Sequence, residues 1–141
     1  MLQPVQEIPT IGLFVETAQY KNIELTVFDL GGANKIWALW RHYYERTDGA
    51  IFVIDSLDKE RCEIAAAELH RMSSEILADK PILIFANKQD LVGAMNLEEI
   101  RRNLRLETLK QKHWHIQPCC AIQGDGLDDG FSWIDNICKK Q

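Results

Sequence analysis

Residues 85–90 of this 141-residue chain, "FANKQD", set an amide, an amine and a carboxylate within four positions, directly after an apolar run. A carboxylate accepts two parallel N–H bonds, so Asp90 suits the edge of a guanine. The aliphatic stem of Lys88 suits the face of the base, and Asn87 can tie neighbouring loops together. The competing reading is an Asx-rich turn ahead of a helix; spacing and strand context both favour recognition. A second group, Asp29, Gly31 and Gly32 in "FDLGGANK", also follows an apolar run. There the glycines can equally serve a tight turn. A third run, "WHIQPCC", delivers Cys120 and Ala121. In an open α/β sheet ligands bind beyond the carboxyl ends of the parallel strands, so the three groups converge if the runs are such strands.

The elements that must position them follow from periodicity. "FVETAQY" and "NIELTVFDL" flank the polar pair Lys21-Asn22 and read as an antiparallel hairpin, with Ile23, Leu25 and Val27 on one face. Residues 33–45 read as a short aromatic helix or helical turn. "GAIFVID" at 49–55 is almost wholly apolar, as suits a strand covered on both faces. A helix follows, capped by Ser56 or Asp58 and running to about residue 77, with Ile64, Ala65, Leu69, Met72 and Ile76 at helical spacing. Strand "PILIFAN", a helix from Asn96, strand "WHIQPCC" and the helix "LDDGFSWIDNICKK" repeat the alternation. Strands alternating with helices predict a doubly wound sheet in a single domain over residues 1–141.

Composition narrows the function classes. The net charge of -5, with no basic run above two residues, argues against nucleic acid as a partner. The four cysteines are irregularly spaced and read as reduced, mostly buried thiols. His42, His70, His113 and His115 have no paired ligand spacing, so no zinc site is expected. Glu98-Glu99 reads as the acidic first turn of a helix, not as an acid–base pair. The start has no targeting pattern and no run is long enough to span a membrane, which predicts a cytoplasmic protein. Leu2 and the ending "CKKQ" predict no direct lipid anchor.

Through "IPTIG", "VFDLGG", "LWRHYY", "GAIFVIDS", "FANKQDL", "AMNLEEI" and "GDGL", residues 8–140 closely resemble the ADP-ribosylation-factor branch of the small GTPases. The resemblance implies a small-GTPase (P-loop NTPase) fold with a mostly parallel sheet, binding GTP or GDP with Mg2+. It implies that Thr10 reaches the magnesium and the terminal phosphate, that Asp29 supports the metal through water, and that Gly32 offers its N–H to the same phosphate. Asn87, Lys88 and Asp90 match the guanine-recognition motif; Cys120 and Ala121 match the last base-contacting loop, with the Ala121 N–H near the guanine oxygen. Leu13, Phe28 and Tyr43 match an effector-facing triad, although Phe28, Trp37 and Trp40 also read as core. Implied partners are effectors and exchange or activating factors in membrane traffic, with Golgi association in the family.

The sequence departs from the family pattern in two places. Ala33 stands where the family carries its water-orienting glutamine, and no G-x-x-x-x-G-K-[ST] occurs. With seven residues before Ile8, where the family pattern has a first strand, the phosphate loop and a first helix, the second departure predicts an N-terminally truncated domain, and both predict impaired hydrolysis. The edges left by a missing strand would favour a homo-oligomer. The alternatives are a nucleotide-independent protein-interaction module and a truncated isoform without function.

Overall fold

The computed structural model describes residues 12–21, 23–31, 47–75 and 77–141. Thr10, Gly32, Ala33, Trp37, Trp40, His42 and Tyr43, with the expected helical turn at 33–45, lie outside them. The chain divides into two compact units, Leu2–Glu45 and Arg46–Gln141.

In the first unit, β1 (Gly12–Tyr20) and β2 (Ile23–Gly31) pair antiparallel, with Tyr20 opposite Ile23 and Gly12 opposite Gly31. The two-residue connection begins at Lys21, whose φ of 52° is the left-handed backbone that tight hairpins require. The Lys21 ammonium lies 5.4 Å from the centre of the Tyr20 ring. Ile23 and Leu25 are half-buried while Glu24 between them is exposed, the period-2 pattern of a ribbon with one covered face. In the register of the ribbon Val15 pairs Phe28 and Leu13 pairs Leu30.

In the second unit, β3 (Ala50–Asp55), β4 (Ile82–Asn87) and β5 (Trp114–Pro118) form a parallel sheet in the order β3-β4-β5. The expectation of a mostly parallel sheet is therefore corrected: among the described residues the strands make one antiparallel pair and one parallel triplet. The connections explain the difference. A two-residue turn can only return a strand antiparallel, whereas the longer segments after β3 and β4 carry helices and allow parallel crossovers.

Strand β4 is the centre of this unit. Leu83 and Phe85 join Cys119 and Ile134 in one cluster, packed by Phe131 and Trp133 of α3 (Leu127–Lys139), with the Phe85 and Phe131 rings edge to face at 5.5 Å. On the alternate side Ile82, Ile84 and Ala86 are also buried. Each fully buried large side chain contributes roughly 1.5–3 kcal/mol relative to exposure, so β4 anchors the loop that follows it. Helix α3 comes this close because Gly130 has no side chain: a Cβ there would lie 2.4 Å from Phe85 Cε1.

Helix α1 (Cys62–Glu75) buries Cys62, Ala66, Leu69 and Ser73. Of the expected inner face Leu69 is buried and Ala65 and Met72 are half-buried, whereas Ile64 is 65% exposed and Ile76 lies outside the described residues. The buried stripe keeps helical spacing but is built largely from small residues, which bring the helix close and carry little hydropathy signal. Helix α2 (Leu97–Asn103) starts with a reciprocal cap, Asn96 Oδ1 accepting the Glu99 N–H at 2.8 Å and Glu99 Oε2 accepting the Asn96 N–H at 2.9 Å. It stops at Asn103, ahead of Arg105 with its φ of 53°, after which Leu106–Thr108 form a single 3-10 turn.

The end of α1 is closed from a distance. Gln111, buried, donates its amide to Ser73 O at 3.1 Å and Leu77 O at 2.8 Å, and accepts from the Ser73 hydroxyl. Leu77 O also accepts the Lys80 N–H at 2.9 Å, so it is Ser73, buried, that loses its partner without Gln111, and an unsatisfied buried polar group costs about 1–3 kcal/mol. Gln111→Leu is expected to destabilise by roughly 2–4 kcal/mol, read as a lower urea midpoint with the slope unchanged. A midpoint equal to that of the parent chain would show that the cap is dispensable.

Candidate functional site

The carboxyl ends of β3, β4 and β5 lie side by side because the strands are in register: Asp55 stands opposite Asn87, and Ala86 opposite Pro118. The loops leaving these ends carry Asp55-Ser56, Asn87 to Asp90, and Cys119 to Ala121. Strong burial of β4 up to Ala86 and partial exposure from Asn87 onward turn the motif out of the core at the sheet edge.

Asn87 joins two of these loops. Its Oδ1 accepts the Ala121 N–H at 2.9 Å and the Cys119 thiol at 3.7 Å. Backbone bonds reinforce the tie, from Cys119 N to Ala86 O at 2.9 Å and from Gln89 N to Cys119 O at 3.2 Å. Beyond it the carboxylate of Asp90 is exposed and has no hydrogen-bond partner among the described residues. An anchored amide and an uncommitted carboxylate on one short loop make a rigid acceptor edge for a planar ligand carrying adjacent N–H donors. Asn87, Lys88, Asp90, Cys120 and Ala121 are thus brought to one end of the sheet. Asp29, near the carboxyl end of β2, belongs to the other unit; Thr10 and Gly32 lie outside the described residues.

Three residues that sequence reasoning missed complete the arrangement. Asp55 Oδ2 accepts from the Lys88 ammonium at 2.8 Å, and its Oδ1 accepts the Leu57 N–H at 2.9 Å. Gln89 donates to Ser56 Oγ at 2.7 Å and to Met95 O at 2.9 Å. The only signal for Asp55 was that it closes an apolar strand, as Asn87 does. Two of the histidines make contacts within the fold: His70 Nε2 lies 2.9 Å from Leu104 O, and His115 stacks on Trp133 at 5.3 Å.

Burial raises the Asp55 pKa, but the Lys88 hydrogen bond, the Leu57 N–H and the charges of Lys88 and Arg61 outweigh it, leaving the carboxyl below its ordinary value. It is ionised at neutral pH, and its contribution to stability is lost only as the pH falls through that lowered value. Burial, with a smaller effect from Cys120, pushes the Cys119 thiol from 9.0 up to about 11. Here the sign is opposite. Between those values the unfolded chain has lost the proton that the folded chain keeps, so stability falls as the pH rises from 9.0 to about 11. The urea midpoint of the parent chain is expected to drop over that window more than that of Cys119→Ala, and equal drops would exclude Cys119 as the cause.

Comparison with known proteins gives this geometry a relative. The family model of the ADP-ribosylation factor family matches residues 2–138. Among solved structures, the Arl6 BBS3 small GTPase from Trypanosoma brucei, determined with the bound nucleotide analogue GppNp, is 36% identical, with a TM-score of 0.81. The match covers 99% of this chain and 87% of that one.

These matches correct the expectation of a truncated domain missing its first strand, phosphate loop and first helix. That expectation weighed the short stretch before Ile8 and one absent motif, whereas the structural match extends over nearly the whole chain and most of the relative. The fold is the P-loop NTPase fold of the family; among the described residues it shows an antiparallel pair of strands and a parallel triplet. Neither a lost phosphate loop nor impaired hydrolysis is supported, and the homo-oligomer inferred from edges left by a missing strand loses its basis. The chain belongs to the ADP-ribosylation factor family of small GTPases.

Proposed function

We propose that the chain is a guanine-nucleotide-dependent switch, with the base seated at the ends of β4 and β5. The observation that carries this reading is the pairing of an anchored Asn87 with the exposed carboxylate of Asp90 on one loop. Asp90 accepts the two adjacent N–H groups of guanine, the stem of Lys88 covers one face, and the guanine oxygen shares the Ala121 N–H now held by Asn87. Cys120 shapes the same loop through its N–H bond to Asp125 O at 3.0 Å. Thr10, Asp29 and Gly32 serve the phosphate and Mg2+ side, a role resting on family membership.

Membership also supports effectors and exchange or activating factors as partners, in membrane traffic. In that role Leu13, Phe28 and Tyr43 meet the effector, and Golgi association comes through such partners. Among the described residues no helix is long and apolar enough to cross a membrane.

Calorimetric titration with GDP, GTP and ADP, with and without Mg2+, tests the reading. Guanine nucleotides are expected to bind at least about 100-fold tighter than ADP, because a site built on N–H recognition leaves Asp90 unpaired against adenine. Equal affinities would remove the guanine-specific site, and no binding would leave a nucleotide-independent interaction module.

A further inference from the structure

Lys88 has a φ of 65°, a left-handed conformation uncommon for a lysine, in the loop that carries the base-recognition residues. Its ammonium is held 2.8 Å from Asp55 Oδ2. Asp55 is itself fixed, since its other oxygen accepts the Leu57 N–H and its backbone is in register with Asn87. One residue further on the arrangement repeats: Ser56 donates its N–H to Asn87 O at 3.1 Å and accepts from Gln89 at 2.7 Å. Asp55 at the end of β3 and Ser56 beyond it thus hold Lys88 and Gln89, the two residues after β4.

The side chains of Lys88 and Asp55 are 40% and 39% exposed. Ion pairs this open to water contribute little to folding, so stability is a poor account of the geometry. Orientation is a better one. A lysine stem has many rotamers, and a base that lies on it must order them unless the ammonium is already held.

We propose that Asp55 is a positioning residue of the nucleotide site, holding the Lys88 ammonium so that the Lys88 stem is ordered before the base arrives. This rests on the guanine-site reading above. Asp55 touches no nucleotide in this account; it acts through Lys88.

A double-mutant cycle on the full chain separates that role from a structural one. Asp55→Asn keeps an acceptor for the Leu57 N–H and removes the charge that holds Lys88; Lys88→Met keeps most of the stem and removes the ammonium. Asp55→Asn is expected to weaken GDP binding by about 3- to 10-fold, the cost of ordering one long side chain. In the Lys88→Met background the same change is expected to have no further effect. An equal loss in both backgrounds, or none in either, would overturn the proposal while leaving the guanine site standing. No GDP binding by the parent chain would overturn the site and the proposal together. Should Asp55→Asn fail to fold, the side-chain ammonium resonances of the parent chain decide: a held Lys88 gives a slowly exchanging signal without nucleotide, and its absence overturns the proposal.

Discussion

Asp90→Ala is expected to lower GDP affinity by about 10²- to 10⁴-fold. Each hydrogen bond to a charged acceptor contributes roughly 1.5–3 kcal/mol, two are lost together, and about 1.4 kcal/mol is tenfold in affinity. The fold should not suffer, because the Asp90 carboxylate is exposed and serves no group among the described residues; surface changes of this kind usually stay within about 0.5 kcal/mol. Inosine diphosphate, which lacks the 2-amino group, keeps only one of the two bonds and should bind the parent chain more weakly than GDP. The variant should bind both alike. Discrimination between GDP and inosine diphosphate that survives Asp90→Ala would place base recognition elsewhere.

Gly126→Ala is expected to be the most disruptive single-methyl change, costing roughly 3–5 kcal/mol of a stability that is ordinarily about 5–15 kcal/mol. Gly126 precedes α3 with a φ of 80°, where an L-residue is strained, and an added Cβ would lie 2.1 Å from Pro118 O. That contact is with backbone at the end of β5, so no side-chain rotation relieves it. Relief must come from moving α3 or the chain through Cys119, Cys120 and Ala121. The variant should therefore unfold at lower urea and lose GDP affinity together. A variant with unchanged stability would show that the loop yields without cost.

The legible part of the site was the part written in consecutive residues. Asn87, Lys88 and Asp90 stand within four positions after an apolar strand, and the end of that strand in sequence is its end in space. Cys120 and Ala121 were placed by the same logic, and the run from Ala50 to Asp55 was recognisable as a strand from its apolar residues alone. Contacts set by strand register were not legible. Asp55 and Lys88 are 33 positions apart, and only the alignment of β3 with β4 brings them together. Gln111, reaching back 38 residues to Ser73, was hidden for the same reason. On α1 the large apolar Ile64 drew attention to the wrong side, since close packing selected Ala66 and Ser73 instead. The expectation of truncation failed differently, by letting the short stretch before Ile8 and one absent motif outweigh a resemblance carried along nearly the whole chain.

Amide proton–nitrogen spectra of the chain recorded during a GDP titration test the central claim most directly. The account predicts that the largest shifts fall on residues 87–91 and 119–122, with those of Asn87 and Ala121 prominent because the bond between them must accommodate the guanine oxygen. Shifts confined to other surfaces, or saturable GDP binding that leaves these two loops unchanged, would contradict it.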